Sequence, residues 1–198
     1  MSKESVVFVT GNANKLKEVQ KLLVNVTKYE ITNKNLDLEE IQEASLQEIA
    51  RKKVLQAVAL LPKGQRIIVE DTALGFDALN GLPGAYIKWF LKKMSLDDLV
   101  KMLEPFEKKT GEAITTIAYS DENGDVKIFQ GITKGNIVYH RGRLEFGRDS
   151  CFEPLAEEGN PEGLTYGEMT KEFKNGLSHR SKAFQMFEEY LKRSEERR

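Results

Sequence analysis

Residues 6–19, V-V-F-V-T-G-N-A-N-K-L-K-E-V, decide the expected fold. The first four are β-branched or aromatic, which predicts a strand buried on both faces, as in a sheet covered by helices. A small polar turn, Thr10 to Asn14, ends that run, and apolar residues then recur at helical spacing from Leu16 to Leu23. A buried strand that leads through a short turn into a helix is typical of an α/β protein.

The turn has the composition of an anion site. Backbone N–H groups at the start of a helix bind anions, and Gly11 would let a ligand approach the chain closely. Thr10 and Asn12 add hydrogen-bonding side chains, and Lys15 adds a positive charge. Because the turn matches neither G-x-x-x-x-G-K-[ST] nor G-x-G-x-x-G, an ordinary turn with an asparagine cap is the alternative.

The composition restricts the class of protein. The 198 residues, 40% of them hydrophobic, suffice for one domain or two closely packed lobes. The net charge of −1 gives no basic field for nucleic acid, and no apolar run reaches the length of a membrane span. The single cysteine, Cys151, excludes an internal disulfide and favours a reducing compartment. We expect a soluble intracellular protein whose polar segment 192–198 frays.

Two adjacent acids follow the next clearly buried strand. Ser45 and Glu48 form a capping box for a helix that ends near Leu61, and the apolar segment 67–69 then leads into Glu70 and Asp71. Open α/β sheets bind ligands at the carboxyl ends of their strands, and carboxylates beside phosphates suit Mg²⁺. A solvated acidic loop is the alternative.

The middle of the chain predicts antiparallel strands. Segments 113–119 and 126–132 are rich in β-forming residues, and Asn123-Gly124 between them is a strong hairpin signal. A third segment, 135–138, extends this sheet. Combined with the α/β pattern at both ends, the segments predict a mixed sheet.

The last third contains aromatic and basic residues that could hold a nucleobase. Segment 146–154 places Phe146 beside Arg148 and Asp149, a set that can enclose a base or simply fill a core. Ser178 is the expected N-cap of the final helix. His179 and Arg180 in its first turn oppose the helix dipole, so a ligand would explain them.

Taken together, these stretches resemble the inosine triphosphate pyrophosphatase (Ham1-like) family, most closely its eukaryotic, fungal branch. The matching motifs occur in order along the whole chain: F-V-T-G-N-A-N-K-L-K-E-V, L-D-L-E-E-I-Q, V-E-D-T, G-L-P-G-A-Y-I-K-W-F-L, F-G-x-D and S-H-R. The resemblance implies one domain, 1–198, with an elongated central mixed sheet, flanking helices and two lobes around a nucleotide cleft. It also implies a homodimer that hydrolyses ITP, dITP and XTP to the monophosphate and pyrophosphate with Mg²⁺, or alternatively Mn²⁺.

The resemblance also assigns roles to individual residues. The expected catalytic residues are Asp71 and Lys15, and the expected metal ligands are Glu40, Glu70 and Asp71. The expected substrate contacts are Thr10, Gly11, Asn12, Lys15, Lys53, Lys88, Phe146, Gly147, Arg148, Asp149, Lys174, Ser178, His179 and Arg180. Three positions depart from the family pattern: Arg148 replaces an aromatic residue, Ser150 a frequent proline, and Gly176 an alanine.

Base selection has a physical rationale. A donor such as Arg180 or His179, aimed at the 6-keto oxygen of hypoxanthine or xanthine, would face the 6-amino donor of adenine and leave both groups unpaired. Two other functions stay open: a purine-nucleotide sensor with weakened hydrolysis, and a Maf-like pyrophosphatase of another triphosphate. The expected compartment is the cytoplasm, with the nucleus left open.

Overall fold

The computed structural model describes residues 3–26, 28–144 and 147–196. Its strands are β1 Glu4–Val9, β2 Tyr29–Lys34, β3 Arg66–Phe76, β4 Pro83–Gly84, β5 Thr110–Ser120, β6 Val126–Ile137 and β7 Phe152–Pro154. Its α-helices are α1 Ala13–Leu22, α2 Leu46–Leu60, α3 Ile87–Lys93, α4 Leu96–Lys101, α5 Lys171–Leu177 and α6 His179–Glu196. Short 3₁₀ helices span Asp77–Leu79, Gly147–Cys151 and Ala156–Glu158.

The strands form one mixed sheet in the order β2-β1-β3-β5-β6-β7, with β4 paired to β3. Strand β1 runs parallel to β2 and to β3, and Phe8 lies opposite Ile68. Strand β7 runs antiparallel to β6. The predicted α/β fold, with a central mixed sheet and flanking helices, is confirmed.

Strand β1 is buried on both faces, as its apolar run predicts. Val6 and Phe8 belong to a core cluster that includes Val19 of α1 and Phe187 of α6. Val7 and Val9 belong to a second cluster, with Ala50, Val54 and Ala57 of α2. Because side chains alternate along a strand, each cluster receives every second residue of β1.

The chain divides into two compact units. The first comprises residues 1–71, 116–130 and 182–198, and the second comprises 72–115 and 131–181. Both core clusters around β1 belong to the first unit. The second unit has its own core, which includes Phe76, Ile87, Leu99, Phe152 and Leu177.

A glycine determines how closely β7 lies against β6. Gly135 pairs with Pro154 across the two strands. A Cβ atom at Gly135 would lie 2.6 Å from the Glu153 carbonyl oxygen and 2.6 Å from the Phe152 ring. No side chain larger than hydrogen fits there unless the neighbouring backbone moves.

Two element boundaries differ from the predictions. Strand β3 does not end at residue 69 but continues through Glu70 and Asp71 to Phe76. Its later residues Ala73 and Leu74 are buried, and lysines pair with both acids inside the strand. The predicted separate segment 135–138 is instead mostly part of β6, which runs unbroken to Ile137.

The last helix includes part of the polar C-terminal segment. Helix α6 continues to Glu196, and Leu191 is fully buried. Lys192 forms an i,i+4 ion pair with Glu188, with 2.9 Å between Nζ and Oε1. Residues 197–198 lie outside the described residues.

No helix in the described parts of the chain is long and apolar enough to cross a membrane.

Candidate functional site

The turn after β1 is held by its own polar groups. The Thr10 backbone N–H donates to the Lys34 carbonyl at 3.0 Å, and the Thr10 Oγ1 accepts from the Asn12 N–H at 3.1 Å. Asn12 Oδ1 accepts from the Lys15 N–H at 3.3 Å. The predicted asparagine cap of α1 is therefore present, and it occupies one of the N–H groups that an anion could bind.

Gly11 has a second role that the sequence did not indicate. A Cβ atom at Gly11 would lie 2.9 Å from Oδ1 and 3.2 Å from Cγ of Asn35, the residue just after β2. The Asn35 side chain therefore lies against the turn where other residues would carry a side chain. Because position 11 is a glycine, the Asn35 side chain can pack directly against the backbone of the turn.

A cavity of about 280 Å³ opens beside this turn within the first unit. Five charged residues line it, together with Thr10 and Gly11: Lys15, Asp37, Glu40, Lys53 and Glu70. All of these residues except Asp37 are among the predicted site residues. Asp37 lies in the L-D-L-E-E stretch between β2 and α2, where only Glu40 matched the family pattern.

Each acid of the β3 pair has a lysine partner. Lys15 Nζ lies 3.5 Å from Glu70 Oε1, and the Glu70 side chain is only 2% exposed. Lys53 Nζ donates to Asp71 Oδ1 at 2.8 Å and to the Glu70 carbonyl at 3.2 Å. The two lysines neutralise acids that would otherwise be costly to hold inside a strand.

The second carboxylate oxygen of Asp71 differs from the first. Asp71 Oδ2 is buried and has no hydrogen-bond partner among the described residues. A buried carboxylate oxygen without a donor is costly, so a ligand that supplies a cation or a donor there would be favoured.

The predicted metal set is only partly assembled. Within the described residues, no group of three His, Cys, Asp or Glu side chains could hold a metal ion, so Glu40, Glu70 and Asp71 form no three-carboxylate cluster. Mg²⁺ commonly takes one or two carboxylates, with substrate phosphates and waters completing its ligands. Glu40 and Glu70, which line the cavity, provide carboxylates for a cation bound in that way.

A second group of predicted residues lies together in the second unit. Asp149, which is 8% exposed, is ion-paired with Lys174. Lys174 Nζ lies 5.1 Å from the centre of the Tyr166 ring. Ser178 Oγ accepts from the Ser181 N–H at 3.1 Å, which confirms its role as N-cap of α6.

His179, the first residue of α6, lies in the middle of this group. It is 5% exposed, and its Nε2 lies 3.2 Å from Nη2 of Arg148. Its Nδ1 lies 3.3 Å from the hydroxyl of Tyr166. No local sequence pattern selects Tyr166, because its partners come from separate loops and helices.

Three further predicted contacts also lie in the second unit. Gly147 opens the 3₁₀ helix that carries Arg148 and Asp149. Lys88 lies on α3, with its Nζ 5.3 Å from the ring centre of Trp89. Arg180 follows His179 in the first turn of α6. Phe146 lies outside the described residues.

Cys151 has the properties of a core residue. It is fully buried, and burial raises the pKa of its thiol to about 11. The thiol donates to the Arg148 carbonyl. A cysteine that stays protonated at neutral pH is a poor nucleophile.

Known proteins resemble this chain over nearly its full length. The sequence model described as the Ham1 family matches residues 6–190. The inosine triphosphate pyrophosphatase of Saccharomyces cerevisiae is 57% identical over 196 residues, covering 96% of this chain and 98% of the yeast protein. The enzyme of the same name from Candida glabrata is 60% identical over 194 residues, covering 96% and 99%.

A solved structure gives the same result for the fold. The Ham1 protein of Staphylococcus aureus superimposes with a TM-score of 0.82 at 23% identity, covering 96% of this chain and all of that one. At that identity the likeness establishes the fold alone. From the family match and the yeast relatives together, the chain belongs to the Ham1 family, on its fungal branch.

Proposed function

We propose that this chain is an inosine triphosphate pyrophosphatase. It hydrolyses ITP, dITP and XTP to the nucleoside monophosphate and pyrophosphate, which removes these nucleotides from the cellular pool. Relatives with that name share 57% and 60% of their residues with it over nearly the full length. The observation that carries the proposal is the cavity beside the Thr10–Asn12 turn, where two lysines lie next to carboxylates.

The triphosphate binds through charge and backbone groups. Lys15 and Lys53 exchange part of their interaction with Glu70 and Asp71 for the phosphate oxygens. The backbone of the turn at Gly11 adds N–H donors. As the bond between the α-phosphorus and the bridging oxygen breaks, negative charge builds up on the departing pyrophosphate, and the lysines stabilise it.

Asp71 is suited to act on the attacking water. Its buried Oδ2 has no donor among the described residues, so it can accept a proton as the water oxygen attacks the α-phosphorus. The same oxygen also suits a metal ligand, and a cation held mainly by the substrate phosphates would take one or two of the carboxylates of Asp71, Glu40 and Glu70. Bound Mg²⁺, or Mn²⁺, would neutralise the triphosphate and lower the pKa of a water molecule.

The base interacts with the second group of residues. Lys174, Asp149 and Ser178 accompany the donors Arg148 and Arg180 in the same unit. A purine 6-keto oxygen accepts a hydrogen bond from such donors, whereas the 6-amino group of adenine cannot. Phe146, Gly147 and Lys88 complete the proposed contacts with the base and the phosphates.

The chain is also proposed to form a homodimer and to act in the cytoplasm. The exposed apolar side chains of Leu82, Tyr86 and Trp89, at 59%, 39% and 45%, offer surface for a second copy. Sedimentation equilibrium with the wild-type chain and with Trp89→Glu tests the dimer, since an interface there would be weakened by the charge.

One assay tests the proposed activity. Pyrophosphate release is measured from ITP, XTP, GTP, ATP and dTTP at equal concentration, with Mg²⁺ and again with EDTA. Release from ITP and XTP that EDTA abolishes and added Mg²⁺ restores is the expected result. Tight ITP binding without release would favour the sensor, and preferred release from dTTP would favour a Maf-like enzyme.

A further inference from the structure

Arg148, a departure from the family pattern, touches the residue at the start of the last helix. Its Nη2 lies 3.2 Å from Nε2 of His179. His179 is 5% exposed, so water competes little for this contact. The aromatic side chain that the family usually has at position 148 carries no guanidinium, so it could not donate this hydrogen bond to His179.

The contact fixes the position of a proton. A guanidinium carries five donors and no acceptor, and it stays charged in proteins. His179 Nε2 must therefore accept this hydrogen bond and carry no proton. A neutral imidazole then has its single proton on Nδ1.

The contact of His179 Nδ1 with Tyr166 supports a proton on Nδ1. Nδ1 of His179 lies 3.3 Å from the Tyr166 hydroxyl oxygen, which can accept the Nδ1–H. Tyr166 is 4% exposed, and burial raises the pKa of its phenol. The hydroxyl therefore stays neutral at physiological pH.

The charged groups nearby do not favour an imidazolium. Asp149, the acid of this group, is ion-paired with Lys174. Lys174 itself lies over the ring of Tyr166, and Arg180 follows His179 directly in the chain. A second proton on His179 would place two cations in contact in a poorly hydrated site.

We propose that Arg148 is a positioning residue that holds His179 as a neutral imidazole protonated at Nδ1. The consequence for substrate rests on the proposed function. His179 then has no Nε2–H to donate to a purine 6-keto oxygen. The guanidinium group of Arg180, the next residue, can still donate to that oxygen.

Nitrogen spectra of the nucleotide-free protein test the proton's position. Two-bond ¹H–¹⁵N spectra of the full chain, labelled at histidine, distinguish protonated from unprotonated ring nitrogens. The chain has only two histidines, so His140→Gln assigns both sets of signals. At pH 7 we expect a protonated Nδ1 and an unprotonated Nε2 for His179.

Three variants separate the contact from general structural effects. Arg148→Leu removes the donor, and we expect its His179 to move toward the Nε2–H form. Arg148→Lys keeps a charged donor and should keep the wild-type pattern. Arg143→Leu makes the same change at an exposed arginine and should leave His179 unaltered. Unchanged His140 signals report that each variant is folded.

The outcomes are distinct. A wild-type His179 protonated at Nε2, or a pattern unchanged in Arg148→Leu, overturns the proposal. A chain that hydrolyses none of the triphosphates would refute the proposed function and leave the spectra to decide the proposal.

Discussion

Replacing Lys53 by methionine tests whether the Lys53–Asp71 ion pair serves both folding and turnover. Lys53 Nζ lies 2.8 Å from Asp71 Oδ1, and the two side chains are 25% and 30% exposed. A hydrogen bond to a charged group contributes about 1.5–3 kcal/mol, and partial exposure reduces this to roughly 1–2 kcal/mol. For a chain of this length, the melting temperature should fall by roughly 2–8 °C.

The same substitution should affect catalysis more strongly than stability. Loss of a group that stabilises developing charge typically lowers kcat by about 10²–10³-fold. Lys52→Met is the matched control, because Lys52 precedes Lys53 on α2 but pairs with Glu43 at the surface. We expect that control to keep its turnover and its melting temperature.

A double-mutant cycle isolates the pair. Free energies of unfolding are measured for wild type, Lys53→Met, Asp71→Asn and the double variant, without nucleotide or metal. A coupling of about 1 kcal/mol is expected for groups in direct contact. Zero coupling, together with wild-type turnover in Lys53→Met, would refute the reasoning.

Three further predictions follow from the geometry. Asp71→Asn should lower kcat for ITP by about 10²–10⁴-fold with unchanged circular dichroism, and wild-type turnover would contradict its role. Gly135→Ala should cost about 2–4 kcal/mol in denaturant unfolding because its Cβ meets Phe152, whereas Gly176→Ala, with open space around it, should be neutral or slightly stabilising. Cys151 should resist iodoacetamide in the native state at pH 8. Because its folded pKa of about 11 exceeds the ordinary cysteine value of 9.0, the thiol loses its proton first in the unfolded chain, and stability should fall between about pH 9 and 11.

The local sequence was enough to predict the first strand, turn and helix. Val6 to Val9 alternate between two buried clusters, and both the buried run and the asparagine cap can be recognised within a few residues. The caps at Ser45 and Ser178 are local in the same way. Such elements depend on neighbours in the chain, so a pattern of spacing and residue type predicts them.

The course of β3 depends instead on distant partners. Glu70 and Asp71 have low strand propensity, and this favours an end to the strand at residue 69. Lysines from α1 and α2 supply the opposite charges, which no local pattern in β3 reveals.

Some site residues can likewise be predicted from local sequence, whereas others depend on distant parts of the chain. The phosphate turn follows from local chemistry, but Lys53 and Glu40 were selected only through family resemblance. The contact of Tyr166 with His179 joins positions 13 residues apart across a loop and a helix. Local sequence gives no signal for such a contact, because it forms only when the folded chain brings the two elements together.

The contact between Gly11 and Asn35 has an evolutionary consequence. The atoms that exclude a Cβ at position 11 belong to a side chain, so a shorter residue at position 35 would make room for alanine there. The two positions should therefore show epistasis: in a paired library, alanine at 11 survives selection mainly alongside glycine, alanine or serine at 35. No substitution elsewhere could make room for a side chain at Gly135 in this way. One atom that excludes a Cβ there is the backbone carbonyl oxygen of Glu153, and any residue at position 153 would have that oxygen. The turn beside the cavity can thus drift by compensated pairs of changes, while the contact between β6 and β7 constrains position 135 in every sequence background.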